Sequence, residues 1–231
     1  MQSSLNEIIA RADALYAERS EIKNIALSVE LLKDAAANSY EAAWRLGRAL
    51  FFLGQETQSQ VEAHAHHAQG ASACSRAVKL RPERVEGQLW LGVNLALMAQ
   101  TEKQFRAFRH VLRAKRALRR AARIDPGYHA AGPLRVLGRV QHKLPRVFGG
   151  GHKNARANFE QALQLAPDNT VTRTYFAELQ LEIGEEHLAR EHLEAILRSK
   201  PDPAWDFETK RDQKLAQEQL AKMAKMASGA T

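Results

Sequence analysis

Four prolines recur along this chain, and the same short pattern precedes each of them. They are Pro82, Pro126, Pro167 and Pro201. A bulky residue stands eight positions before each proline: Cys74, Leu118, Phe159 and Leu193. A small residue stands four positions earlier still: Gly70, Ala114, Ala155 and Ala189. Small residues let two helices approach closely, a bulky one fills the space between them, and a proline opens the next turn. The pattern therefore predicts repeated pairs of packed helices.

Leu-Gly pairs upstream of the prolines identify the kind of repeat. They are Leu46-Gly47, Leu91-Gly92 and Leu137-Gly138, and Phe176-Ala177 is a degenerate fourth copy. A Leu-Gly pair in one helix, followed by the small-large pattern in the next, is typical of the tetratricopeptide repeat. We therefore predict an all-α fold, a tetratricopeptide-type α-solenoid, in which antiparallel helix pairs form a right-handed superhelix.

The repeats and their flanks predict a single domain over residues 1–231. Residues 1–39 read as an N-terminal capping helix pair, with helices at Leu5–Ala17 and Ile25–Ala36. Residues 40–201 hold about four repeats. Residues 202–231 read as a C-terminal capping helix, Phe207–Met226, and a tail. Caps of this kind cover the open apolar ends of a solenoid.

The first three repeats are longer than the standard repeat. The excess residues fall roughly at Gln55–Gln69, Ala99–Val111 and Leu144–Gly151, between the two helices of each pair. In a solenoid such segments emerge on one edge, where they could serve docking or association into a homo-oligomer. Surface loops also lengthen at little thermodynamic cost, so neutral drift is an equal alternative.

The net charge of +8 is concentrated in one stripe of arginines. The stripe recurs every three or four residues and so follows one helix face: Arg106, Arg109, Arg113, Arg116, Arg120 and Arg123. The apolar residues of the segment are predicted on the opposite side: Phe105, Phe108, Leu112, Leu118, Ala121 and Ile124. Carboxylates of a neighbouring helix could balance the stripe. Alternatively it binds an acidic protein, an anionic membrane or nucleic acid, and nucleic acid is disfavoured because no aromatic residues interleave with the arginines.

A second candidate site lies on the inner face, which the first helix of each pair lines. The first repeat places Trp44, Arg48 and Phe51 there, and the third places Arg135, Arg139, His142 and Lys143. Aromatic walls with converging guanidinium groups suit an acidic small ligand or peptide, because arginine binds a carboxylate through two hydrogen bonds. The same residues could instead join one repeat to the next.

Catalytic and metal-binding patterns are weak. His64 and His67 would share a helix face, but further ligands at metal-site spacing are missing, so we expect no metal there. The run Gly149-Gly150-Gly151 lacks the spacing of a phosphate-binding loop. Cys74 occupies a packing position. We therefore predict a non-enzyme that needs no cofactor.

The chain has no apolar run of transmembrane length and no signal-peptide pattern at its start. As the sequence stands, it predicts a cytoplasmic protein without a transmembrane segment. A periplasmic location would require that a leader had been removed.

One segment of the third repeat resembles the TRAP transporter T-component family. It comprises Gly132-Pro-Leu-Arg-Val-Leu-Gly-Arg-Val140, Lys143-Leu-Pro145, Gly149-Gly150 and Leu165-Ala-Pro-Asp168. The resemblance implies a periplasmic accessory protein, ring-like in its oligomers, that contacts the solute-binding protein of a tripartite ATP-independent transporter, an acidic small ligand, or both. The alternative is a general cytoplasmic scaffold that docks a peptide or protein partner.

Overall fold

The computed structural model describes residues 2–102, 104–200 and 202–228. Within these ranges the chain forms eleven α-helices and no β-strand. The helices are α1 (Gln2–Ala17), α2 (Ile22–Leu32), α3 (Tyr40–Glu56), α4 (Gln60–Leu80), α5 (Val85–Met98), α6 (Gln104–Ile124), α7 (Tyr128–Lys143), α8 (His152–Leu165), α9 (Thr170–Glu182), α10 (Glu186–Leu197) and α11 (Asp206–Ser228). Short 3-10 helices follow α2, α5 and α7, at Ala35–Ala37, Ala99–Thr101 and Arg146–Phe148. The predicted all-α fold is confirmed.

The helices group into two compact units. The first, Met1–Tyr128, contains α1 to α6, and the second begins at His129. At this boundary three consecutive residues other than glycine have left-handed backbone angles: His129, Ala130 and Ala131, with φ of 53°, 51° and 56°. L-residues rarely adopt this conformation, so the surrounding structure must hold it in place. One continuous domain over residues 1–231 stays a prediction.

Each Leu-Gly pair packs against the bulky residue of the following helix. A Cβ atom on Gly92 would lie 2.6 Å from Cγ of Leu118, and one on Gly138 would lie 2.7 Å from Cε1 of Phe159. A Cβ atom on Gly47 would overlap Sγ of Cys74. Only glycine leaves room for these contacts, which explains why the two patterns recur together. In the fourth pair, Ala177 and Leu193 share one buried cluster.

Helix ends follow from local sequence signals. Pro82, Pro126 and Pro167 each lie in a turn, two residues after the last residue of α4, α6 and α8. Pro201 lies outside the described residues. At the other ends, Ser39, Ser59 and Asn169 accept hydrogen bonds from backbone amides three residues ahead, at the starts of α3, α4 and α9. Such caps satisfy amides that have no partner inside the helix.

The first two long segments are mainly helix rather than loop. α4 and α6 each contain 21 residues, and their first turns account for most of the excess. The start of α4 lies beside the 3-10 helix that precedes α6, because Nδ1 of His64 is 2.7 Å from Oγ1 of Thr101. The third segment is a 3-10 turn followed by glycines, of which Gly149 and Gly151 have positive φ. Self-association through these segments stays a prediction.

The terminal helices are close to those expected. α2 ends at Leu32, four residues before the predicted Ala36, and its Ser28 hydroxyl donates to the Ala12 carbonyl oxygen of α1 at 3.3 Å. In the second unit, α11 buries Ala216 in the cluster that contains Ala177 and Leu193. The Thr170 hydroxyl donates to the buried Asp212 of α11 at 2.8 Å. Both ends are therefore tied to neighbouring helices.

Candidate functional site

Helix α6 has one buried side and one exposed, strongly basic side. Ala114, Leu118 and Ala121 are fully buried. The predicted stripe lies on the exposed side, and Arg119 lies there with it. The sequence analysis missed Arg119, although its position three residues after Arg116 was a sufficient signal. We call these exposed residues the arginine face: Arg106, Arg109, Arg113, Arg116, Arg119, Arg120 and Arg123.

Acidic partners for the arginine face are missing from the described part of the chain. Among the described residues, no carboxylate forms an ion pair with any of its seven guanidinium groups. Other arginines of the protein are paired: Arg45 and Arg48 bind Asp13, and Arg139 binds Glu178. Like charges three or four residues apart repel each other along a helix. The face thus carries uncompensated positive charge into solvent.

A groove of about 440 Å³ runs beside the second half of the arginine face. Its base is apolar, because Leu95 and Ala117 are buried there, and Val78 and Leu91 are half-buried beside them. Pro82 and Gln88 complete this side. Four arginines line the other side: Arg113, Arg116, Arg120 and Arg123. We call this feature the apolar groove, and its volume is typical of ligand-binding clefts.

Two apolar side chains predicted to face the core are exposed instead. Phe105 is 75 % exposed and Leu112 is 47 % exposed. The prediction was wrong for them because helix periodicity places residues seven apart on the same side, together with Arg109 and Arg116. Both therefore interleave with the arginine face, so the expectation that no aromatic residue lies among these arginines is wrong for Phe105. Leu118 and Ala121 lie on the buried side, as predicted.

The inner-face residues of the first repeat form a cluster with α1. Nη2 of Arg48 lies 2.7 Å from Oδ1 of Asp13, and its guanidinium stacks on Tyr16 at 3.8 Å. Trp44 is only 6 % exposed, and its Nε1 donates to Glu41. The ring of Phe51 lies 5.4 Å from that of Trp90. Arg48 thus connects α3 to α1, whereas Trp44 bonds to a residue of its own helix.

Arg135 is buried and bound to the protein itself. It is 5 % exposed, and burial lowers the pKa of its guanidinium to about 10. Its Nη1 donates to the Ala130 carbonyl oxygen at 2.6 Å, to that of His129 at 3.3 Å, and to Oδ1 of Asn169 at 3.4 Å. Arg135 therefore holds the left-handed segment in place.

The other basic residues of α7 face carboxylates of α9. Arg139 binds Glu178 at 2.5 Å, and Lys143 binds the same carboxylate at 2.6 Å. His142 contacts Glu182 at 2.8 Å. Although burial opposes it, Lys143 and Arg139 lower the pKa of Glu178. The positive charge predicted to attract a ligand is thus balanced inside the second unit.

The histidines of α4 occupy different environments. His67 is 3 % exposed beneath Gly54, and burial lowers the pKa of its ring to about 4. His64 contacts Thr101, and its Nε2 lies 3.6 Å from Oε1 of Glu102. The described residues contain no group of three or more histidines, cysteines or acidic residues arranged to hold a metal ion.

Comparison with known proteins shows the family to which the chain belongs. A family model described as "Regulator of microtubule dynamics protein 1-3" matches residues 8–140, more than half of the 231 residues. The chain belongs to this family. The residues that match the regulator of microtubule dynamics family include the whole arginine face and every residue that lines the apolar groove. A tetratricopeptide repeat model matches residues 150–206.

The predicted membership of the TRAP transporter T-component family is wrong. The segment that suggested it spans Gly132 to Asp168, but the matching models are those of the regulator of microtubule dynamics family and the tetratricopeptide repeat. The Leu-Gly pair and the helix that is followed by a proline occur in tetratricopeptide repeats in general. These features therefore could not distinguish one family from another.

Solved structures confirm the tetratricopeptide-type fold of this family member. The chain is similar to a thermophilic tetratricopeptide repeat protein of Thermus thermophilus, with 21% identity and a TM-score of 0.69 over 91% of this chain and 97% of that one. It is also similar to MamA from MSR-1, with 18% identity and a TM-score of 0.51 over 83% of this chain and 91% of that one. A search of curated proteins gave no match. None of the described helices combines the length and apolarity that crossing a membrane requires.

Proposed function

We propose that the protein is a non-catalytic interaction scaffold that binds an acidic segment of a protein partner on its arginine face. The observation that carries this proposal is the row of exposed guanidinium groups along α6, which form no ion pair with any described carboxylate. Tetratricopeptide arrays commonly present such surfaces to partners, and this region lies within the family match. The proposal replaces the transporter role with the scaffold alternative.

The physical basis is the repulsion stored in the free helix. Seven arginines at helical spacing raise the free energy of α6, and a partner's carboxylates would relieve it. Each guanidinium can donate two parallel hydrogen bonds to one carboxylate. Because the charges are exposed, they would mainly increase the rate of association with an acidic partner. Added salt would screen this attraction and lower the rate.

The inner-face residues have a different role in this proposal. Arg48 and Phe51 link helices within the first unit, and Trp44 is buried and bonded to Glu41 within α3. Arg139, His142 and Lys143 link α7 to α9 through Glu178 and Glu182. We therefore propose that these residues stabilise the fold and are not the first point of contact for an acidic ligand.

The family's name makes microtubules the first partner to test. The test compares the wild type with a variant that carries Arg113→Glu, Arg116→Glu and Arg120→Glu. A control variant carries Lys153→Glu, Lys214→Glu and Lys222→Glu, which reverses three exposed lysines of the second unit and changes the net charge equally. Binding is measured by co-sedimentation with microtubules and by fluorescence anisotropy of a labelled glutamate-rich peptide.

The affinity of the arginine variant for the peptide should be lower than that of the wild type by at least about tenfold, since several exposed ion pairs are lost and repulsion is added. The lysine control should stay within about twofold of the wild type. Equal losses in both variants would show that net charge alone, and not the arginine face, governs binding. Undiminished peptide binding by the arginine variant would overturn the proposal.

A further inference from the structure

We propose that the apolar groove receives one large apolar side chain of the bound acidic segment. The motif recognised would then be an apolar residue flanked by carboxylates, rather than negative charge alone. This inference rests on the proposed function, because it assigns a second contact to the same segment. It adds a source of specificity, since charge by itself selects poorly among acidic partners.

The lining of the groove suits an apolar side chain that is flanked by carboxylates. Leu95 and Ala117 form a buried base, and Leu91 rises beside them from α5. A volume of about 440 Å³ accommodates a leucine, methionine or phenylalanine side chain with room for some backbone. Burying such a group removes apolar surface from water on both partners.

The arginines define the spacing of the carboxylates. Arg113 and Arg123, the outermost of the four, are ten residues apart and therefore about 15 Å apart along the helix axis. An extended peptide covers that distance in about five residues. The apolar residue should thus be flanked on both sides by acidic residues within two or three positions.

Other negatively charged partners fit the groove less well. No aromatic ring is among the residues that line it, so nucleic acid bases would find no stacking surface there. A flat membrane surface could contact the exposed arginines but not Leu95 and Ala117, which are buried at the base of the groove. A single side chain on a flexible peptide can enter such a recess. The observations therefore favour a peptide segment over nucleic acid or membrane.

The experiment uses two labelled peptides of glutamate and serine residues that differ at one central position, leucine in the first and serine in the second. The wild type should bind the leucine peptide about tenfold more tightly than the serine peptide. Ala117→Met should fill the groove and reduce this preference to less than about twofold. Ala221→Met, at an exposed position of α11, serves as the matched control and should keep the full preference.

The possible results separate the two proposals. Equal affinity of the wild type for both peptides, lost on reversal of Arg113, Arg116 and Arg120, would overturn the groove while the scaffold function stands. Failure of both peptides to bind would overturn both proposals. Both would also be overturned if phosphatidylserine vesicles or single-stranded DNA bound through the arginines while the peptides did not.

A second measurement does not depend on the folding of the Ala117 variant. A peptide with a photoreactive benzoylphenylalanine at its central position is cross-linked to the wild type. The cross-links should map to the groove, at Val78, Leu91 or Ala117. Cross-links confined to α11 or to other surfaces would overturn the inference.

Discussion

Nη2 of Arg48 lies 2.7 Å from Oδ1 of Asp13, so an arginine predicted to face a ligand is bound to the N-terminal helix. Nε of Arg45 reaches the same carboxylate, at 3.0 Å from Oδ1 and 2.9 Å from Oδ2. One aspartate of α1 thereby compensates two guanidinium groups of α3. Both arginine side chains are largely buried, which makes their compensation important for stability.

Asp13→Ala should lower the free energy of unfolding by roughly 1–3 kcal/mol, because two poorly solvated cations lose their shared partner. Urea unfolding measures the change. Glu30→Ala is the control, since the pair of Glu30 with Lys33 is exposed and should contribute less than about 0.5 kcal/mol. If both variants lost the same small amount, Asp13 would be an ordinary surface carboxylate.

Gly138→Ala should destabilise the protein by roughly 1–3 kcal/mol, because the new methyl group meets the Phe159 ring. Gly127→Ala is the matched control. The nearest atom to a Cβ at Gly127 is Oδ1 of Asp125 at 3.5 Å, an ordinary contact, so stability there should stay the same or rise slightly. Thermal unfolding followed by circular dichroism compares the two. An unchanged melting temperature for Gly138→Ala would contradict the described packing of α7 on α8.

Stability should fall when the pH is lowered from about 6.5 towards 4. Burial lowers the pKa of His67 to about 4 in the folded protein, whereas the unfolded chain has the ordinary value of 6.5. Between these values the unfolded chain binds a proton that the folded protein does not, so unfolding becomes more favourable as pH falls. His192, in the second unit, has the same lowered pKa of about 4.

Urea unfolding at pH 7 and pH 5 measures this dependence. His67→Gln should reduce the difference in stability between the two pH values, because the buried group no longer titrates. His187→Gln, at a highly exposed histidine, should leave the difference unchanged. If the His67 variant keeps the full pH dependence of stability, titration of His67 is not its cause.

The arginine face should cost the free protein stability. Arg116→Glu should raise the free energy of unfolding by a few tenths of a kcal/mol at low salt, because it replaces repulsion along α6 with attraction. The gain in stability should be smaller at 0.5 M salt, because salt screens both the repulsion in the wild type and the attraction in the variant. Thermal melts at two salt concentrations provide the measurement. A loss of stability at low salt would mean that Arg116 makes a favourable contact in the free protein.

Arg135 should prove essential for folding rather than for binding. Arg135→Met should lower stability by about 2–4 kcal/mol, because carbonyl oxygens of the left-handed segment lose their donor. Arg135→Lys should recover only part of the loss, since an ammonium cannot reproduce the planar geometry of the guanidinium. Chemical unfolding measures both variants. If Arg135→Met were as stable as the wild type, the structural role of Arg135 would be contradicted and a role in ligand binding would be favoured.

The helix pairs could be predicted because their signals are local. Gly92 and Leu118 follow a short periodic pattern, and the stripe on α6 follows from helical spacing alone. The exposure of Phe105 escaped prediction because apolar residues were assigned to the buried side by type. Helix periodicity, applied strictly, would have placed Phe105 beside Arg109.

The partners of the inner-face residues could not be predicted, because they come from distant parts of the chain. Asp13 is 32 residues from Arg45, and Glu182 is 40 residues from His142. A repeat pattern states which residues share a helix face but not which carboxylate of the next helix they meet. The left-handed backbone at Ala130 likewise could not be predicted, because glycine, the usual sequence signal of a positive φ, is absent from that position.

The length of α6 has a consequence for how a partner is held. With 21 residues, the helix repeats its basic side chains over several turns, so a partner attached by charge alone has several equivalent registers and can slide by one turn without dissociating. Loss of one arginine then removes some registers and leaves others, and its effect is graded. The recess at Ala117 occurs at one place along the row, and an apolar anchor seated there would convert a sliding contact into a fixed one.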